Sequence, residues 1–254
     1  VALIVDDKHL GTPEGRWRDA GLHEDLLHLG PINARRLVVV SPHPDDEVFG
    51  AGGLIQAALS QRVPVEVIAV TDGEASHPNS SAAVTLNVAR VRSDESREAL
   101  GRLGWRSPLI TRLHLADGAV TENRDELDAA LASLLLPDDL CVAPWRHDGH
   151  PDHDACGESA LAASRAVGAR MLGFLVWAWH WADPEGSNIP WDVCRRLDLS
   201  RRARARKRWA SAAFNSQTRS LGPDIEDAAV LPAPLMRRFW RPYEVFVDET
   251  ASGP

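Results

Sequence analysis

The amino-acid sequence predicts an α/β fold built on a mostly parallel sheet with helices on both faces. Three observations carry this reading. Short apolar runs rich in β-branched residues alternate with longer charged, amphipathic stretches; glycine or proline closes several of the latter; and turn residues such as Asp72-Gly73 and Asp117-Gly118 follow the apolar runs. That alternation is the pattern of βαβ units, whose strands are buried on both sides and therefore lack a polar face. The expected architecture is Rossmann-like.

In chain order, residues 1–34 read as an N-terminal arm. Gly11-Thr12-Pro13 and Gly30-Pro31 break it around Leu22, Leu26, Leu27 and Leu29, the spacing of one short helix. Residues 36–41 form the first strand, and 50–61 the helix after it, where Gly50, Gly52 and Gly53 allow a close approach to the strand ends. A second strand covers 63–71. A charged helix over 86–103 is closed by Gly104, a favoured residue just past a helix end. Strand 109–115, helix 122–136 stopped by Pro137, strand 140–144, helix 155–167 and strand 171–177 complete the pattern. The core thus spans 35–176, and 177–254 adds a tryptophan-rich loop and C-terminal elements to one domain over 1–254.

Composition narrows the function. A chain of 254 residues, 44% hydrophobic and 25% charged, suits one large α/β domain. A formal charge of -8 argues against nucleic acid as a partner. Cys141, Cys156 and Cys194 show no Cys-x-x-Cys spacing, so neither a disulfide framework nor a thiolate zinc site is indicated. No apolar run reaches the roughly 18 residues of a membrane span, and the apolar start at 1–5 meets Asp6 and Asp7 at once, so a cytoplasmic protein is expected. The oligomeric state is not legible.

Two motifs carry the chemistry. Ser41-Pro42-His43-Pro44-Asp45-Asp46-Glu47 falls at a strand-to-helix turn, where open α/β sheets place their active sites. His43 and Asp46, three apart, can face one point as two ligands of a metal, which leaves Asp45 free for another task. The second motif, Asp148-Gly149-His150-Pro151-Asp152-His153, follows the fourth strand and emerges on the same sheet edge if that strand is parallel to the first. Alone, each motif also reads as an ordinary turn with a helix-capping Asp. Together, His43, Asp46 and His153 supply two imidazoles and one carboxylate, a set that leaves a fourth position for water as catalytic zinc sites do. Iron or cobalt fits the same donors.

With these motifs the sequence resembles the LmbE-like, or PIG-L, family of zinc-dependent N-acetylglucosaminyl deacetylases. Arg92-x-x-Glu95 to Gly104, Lys207-Arg208-Trp209-Ala210 with Ser216-Gln217, and Arg241-Pro242-Tyr243-Glu244-Val245-Phe246 extend the likeness over roughly 36–247. The resemblance implies metal ligands at His43, Asp46 and His153, Asp45 as general base, His150 near the scissile amide, and Asp152 as the orienting partner of His150. It implies removal of an acyl group from an N-acetylglucosamine-type amino sugar or its conjugate by a metal-activated water, with His150 acting as a cation. One departure stands out: where some members carry a Tyr, this chain has Asp148, which is free to bind a sugar hydroxyl or to cap its own turn.

The remaining candidates concern the substrate. Trp179, Trp181 and Trp191 lie among Pro, Gly and Asp and suit the lip of a sugar pocket, with His180 as a hydrogen-bonding neighbour, whereas Trp177 reads as core. The basic run at 201–208 reads as a solvated helix face within a helix over 199–216. Two other readings stay open: an amidase acting on a thiol conjugate or another small N-acyl substrate, and a non-catalytic zinc- and sugar-binding protein. The intact Asp45 counts against the latter.

Overall fold

The computed structural model describes residues 11–22 and 24–250; the first ten residues of the expected arm, His23 and the last four residues lie outside the described residues. Eight strands form one sheet: β1 (Leu27–His28), β2 (Arg36–Ser41), β3 (Val65–Thr71), β4 (Ile110–Leu115), β5 (Asp139–Pro144), β6 (Arg170–Phe174), β7 (Cys194–Asp198) and β8 (Tyr243–Asp248). Their order across the sheet is β1-β7-β8-β6-β5-β2-β3-β4. β8 runs antiparallel to β6 and β7, and the other pairings are parallel. The helices are α1 (Glu14–Ala20), α2 (Asp46–Gln61), α3 (Ser81–Leu86), α4 (Val88–Leu103), α5 (Arg124–Leu134), α6 (Pro151–Val167), α7 (Ala178–Trp181), α8 (Arg201–Ser211), α9 (Asn215–Thr218) and α10 (Ala233–Met236).

Strand alternation divides the apolar residues between two layers. Leu37 and Val39 face one core with Leu54, Ile55, Leu100, Phe174 and Phe246; Val38 and Val40 face the other with Ile68, Leu127, Leu131 and Met171. This two-sided burial is what the continuous apolar strands predict. β2 pairs with β3 on one side and β5 on the other, with Val39 opposite Val67 and Val142. The chain builds outward through β3 and β4, then returns to add β5 and β6 on the other flank. β2 therefore borders the point where strand order reverses, and the turns after β2 and β5 open into one crevice.

Some element expectations give way. The arm's helix is Glu14–Ala20, and Leu27 is 65% exposed in β1. Trp17 decides this, being 4% exposed and donating its indole N–H to the Trp179 carbonyl at 3.0 Å. The charged helix begins as a separate turn of α3, capped by Ser80, and is broken from α4 at Asn87, whose φ is 50°. The helix expected over 199–216 divides into α8 and α9, and the strand expected over 171–177 ends at Phe174. Among the described residues no helix is long and apolar enough to cross a membrane.

Candidate metal centre and active site

β2 ends at Ser41, and the turn that follows is held by Glu47. This carboxylate, 1% exposed, accepts from the Ser41 hydroxyl (2.9 Å), the Ser96 hydroxyl (2.5 Å) and the Asp45 backbone N–H (3.0 Å). The bracket holds Asp45 at φ 136°, a conformation that residues with a Cβ rarely adopt and that a surrounding structure must enforce. Glu47 thus supports the turn between β2 and α2.

His43, Asp46 and His153 come together, each offering a ligand atom within 4.8 Å of the others. The Asp46 carboxylate oxygen lies 3.3 Å from His43 Nδ1 and 3.1 Å from His153 Nε2. Both imidazoles are steered from behind. His43 Nε2 faces Asp117 (3.1 Å) and Asp152 (3.2 Å), and His153 Nδ1–H donates to Asp148 (2.8 Å). A carboxylate on the far nitrogen fixes ring and tautomer, as in many metal-ligating histidines. His153 Nε2 turns into the cluster and faces the Asp46 carboxylate 3.1 Å away without the alignment of a hydrogen bond, which leaves it placed to share a cation with that oxygen. The donor set fits a divalent metal.

A second group, His43, His150 and Asp152, falls within the same 4.8 Å limit. Its members are already engaged. Asp152 accepts from the Gly118 (2.8 Å) and Val120 (3.2 Å) N–H groups, and His150 Nδ1 accepts the Asp152 N–H at 3.2 Å. This corrects the expected His150–Asp152 pairing: the Asp152 carboxylate buttresses His43 and the turn after β4, because its place in the first turn of α6 points it there. The contact at Nδ1 also puts the proton of a neutral His150 ring on Nε2.

Charge shifts follow the packing. Burial opposes protonation of His43, but Asp117, Asp152 and Asp46 raise it well above the usual range. His153 is raised to about 9 by Asp46 and Asp148 against the same burial. Burial would raise Asp46, but the adjacent charges of His153 and His43 hold its carboxyl well below the ordinary value. Burial, with the neighbouring Asp46 and Glu47, raises Asp45 well above it, although Arg92 pulls the other way. His150 is lowered to about 3 by burial and by the charges of His153 and His43.

A cavity of about 250 Å³ opens over these groups. His43, Asp45, Asp46, His150 and Asp152 line it, together with Arg92, Asp117, Gln217, Phe49, Trp177 and Leu231. Arg92 donates to Asp45 (3.3 Å), Pro44 O (3.1 Å) and Gly73 O (2.9 Å); a Cβ on Gly73 would collide with that guanidinium.

The expected substrate residues are arranged differently from their reading. Asp148 is fully buried and accepts from the backbone N–H of Val176, Trp177 and Ala178 as well as His153, so no atom is left for a sugar hydroxyl. Trp179 packs edge-on to Trp17 at 5.0 Å and under Arg241, and Trp191 joins the same cluster. His180 lies against Arg238, and Trp181 donates its indole N–H to Asp148 O at 2.6 Å. None of these five lines the cavity. Trp177, read as core, does. Asp117, Arg92 and Gln217 carried a signal, an Asp-Gly after a strand end, an Arg in the charged helix and the Ser216-Gln217 pair of the family likeness; Trp177 and Leu231 carried none that local pattern separates from packing.

Comparison with known proteins places this geometry. Residues 38–164 match the family model PIG-L, described as GlcNAc-PI de-N-acetylase. A probable N-acetyl-alpha-D-glucosaminyl L-malate deacetylase 2 of Bacillus cereus is 30% identical over 135 residues, 51% of this chain and 60% of that protein. The 1D-myo-inositol 2-acetamido-2-deoxy-alpha-D-glucopyranoside deacetylase of Rhodococcus jostii is 27% identical, over 66% of this chain and 68% of its own. The match thus spans about 60% of the length of the first of these curated relatives. The structure of the N,N'-diacetylchitobiose deacetylase from Pyrococcus horikoshii superposes with a TM-score of 0.57 at 22% identity, covering 87% of this chain and 82% of that one, which shows a shared fold.

Proposed function

The chain belongs to the PIG-L family, and from that premise we propose that it is a metal-dependent N-deacetylase acting on an N-acetylglucosamine-type amino sugar or its conjugate. The observation that carries the reading is the meeting of His43, Asp46 and His153, the first two of which line a cavity that also reaches Asp45 and His150. Two imidazoles and one carboxylate suit zinc. A zinc ion held by these three residues would supply Lewis acidity towards the attacking water and the acyl oxygen.

The chain's own residues do the rest. Asp45, held beside the ligands by Arg92 and the Glu47 bracket, accepts a proton from the attacking water. His150 Nε2–H donates to the oxygen that gains charge as the carbonyl carbon becomes tetrahedral. When the C–N bond breaks, the proton held by Asp45 passes to the departing nitrogen, giving a carboxylic acid and a free amine. The names of the relatives, which span malate and inositol conjugates of glucosamine, support an amino sugar as the acylated part. One continuous sheet supports reading 1–254 as a single domain, and free thiols at the buried Cys141, Cys156 and Cys194 suit the cytoplasm.

The test is acetate release from N-acetylglucosamine conjugates by the zinc-loaded protein and by Asp45→Asn. Release by the parent with loss in the variant is expected. Equal release by both removes Asp45 from its role, and no release from any conjugate removes the deacetylase reading.

A further inference from the structure

We infer that the substrate carries an apolar group beside its scissile amide, and that Trp177, Val230 and Leu231 form the wall that selects it; this rests on the deacetylase reading above. The wall starts at the reacting groups. The Trp177 ring stacks on His150 with centroids 5.8 Å apart and planes at 24°, and Phe49, Val176, Val230 and Leu231 line the same cavity. The charged groups of the cavity are engaged with one another near the ligand cluster, Arg92 with Asp45 at 3.3 Å and Asp117 with His43 at 3.1 Å. Gln217 and Ser76 are the uncharged polar side chains of this lining, and a sugar hydroxyl turned instead onto the carbon surface of Val176, Val230 or Leu231 would lose its water there without a matching donor or acceptor, which is unfavourable. An apolar group in the same place gains from burial.

The wall is also held in position before any ligand arrives. The Trp177 N–H donates to Asp148 at 2.9 Å, the same carboxylate that orients His153. Val230 and Leu231 end the segment between α9 and α10, and that segment is pinned at several points. The Leu231 N–H donates to Gln217 O (2.8 Å), His77 Nε2–H to Ala228 O (3.2 Å), and the Ser80 hydroxyl to the buried Asp227 carboxylate (2.5 Å). A fixed wall pays little ordering entropy on binding, so its chemistry translates into preference.

The apolar group can belong to the acyl chain or to the aglycone, and three amides separate these. Methyl 2-acetamido-2-deoxyglucoside is the reference, its phenyl glycoside extends the aglycone, and the N-hexanoyl analogue of the methyl glycoside extends the acyl chain. Acid release is measured with the zinc-loaded parent, and affinity by calorimetry with Asp45→Asn, which is expected to hold the amides uncut. One apolar analogue should exceed the reference by about tenfold or more in kcat/KM and in affinity. Leu231→Asn and Val230→Asn, the latter at a partly buried position, should bring that ratio towards one, and a ratio is insensitive to loss of active protein. The inference is overturned if all three amides bind and react alike, or if neither substitution changes the ratio. Absence of acid from every amide, with the affinity ranking intact, would instead remove the hydrolytic reading and leave the apolar wall standing.

Discussion

Two buried pairs of a carboxylate and a cation fasten α2, and they are built differently. Lys207 and Glu244, each with a side chain 3% exposed, meet at 2.5 Å. Glu244 also takes the N–H groups of Gly53 (2.6 Å) and Leu54 (2.9 Å), and Lys207 donates to Phe49 O (2.8 Å). The pair uses its atoms on the helix. Arg92 and Asp45 are nearly as buried but meet at 3.3 Å, both line the cavity, and Arg92 Nε has no hydrogen-bond partner. Asp45 also sits on backbone at φ 136°. Like chemistry thus serves the fold where every group is matched, and in the mechanism we propose it serves the reaction where a strained carboxylate keeps capacity for another partner.

Substitutions can break this contrast. Asp45→Asn should lower acyl release by about 10²- to 10⁴-fold, the usual contribution of a general base, while the thermal midpoint falls less than in Lys207→Met, because Arg92 keeps the Gly73 and Pro44 carbonyls. A large drop in midpoint with retained activity would make Asp45 a structural residue. Lys207→Met should do the opposite. It leaves Glu244 buried and uncompensated, costing about 3–5 kcal/mol in denaturant unfolding, with metal content per folded chain preserved. A stability loss below about 1 kcal/mol would show that the pair is not the fastener described.

Smaller effects sharpen the comparison. Asp148→Ala removes the acceptor behind His153 and should weaken metal affinity about 10- to 100-fold, measured by competition with a chromogenic chelator; unchanged affinity would deny it the orienting role. The three buried cysteines should resist alkylation of the native protein under mildly alkaline conditions. Burial pushes Cys141 and Cys194 up to about 12 and Cys156 well above the ordinary thiol value, so little thiolate forms. Rapid native labelling would show that these positions open to solvent.

The ligand candidates were legible because metal chemistry demands particular residue types, and because parallel strands bring the ends of β2 and β5 to one edge. Roles that depend on side-chain direction were not. Asp148 and Asp152 could both be seen as acids beside histidines, but which imidazole each would hold depended on the backbone N–H groups of 176–178 and 118–120. The tryptophans show the same limit. Trp177 and Trp179 are two residues apart in a turn, and the packing of α1, an element whose helix was expected elsewhere, draws Trp179 into the interior while Trp177 stays at the cavity. Strand alternation made the sheet readable, whereas β7, with its Arg-Arg pair, and the two-residue β1 lack an apolar run long enough to read.

The central claim is that His43, Asp46 and His153 form the metal site and that His150 stands beside it. Its most direct measurement is elemental analysis of folded protein after zinc loading and dialysis, for the parent, His153→Ala and His150→Ala. The parent should hold about one ion per chain, His153→Ala almost none, and His150→Ala nearly as much as the parent. A parent without metal, or equal loss in the two variants, would contradict the account.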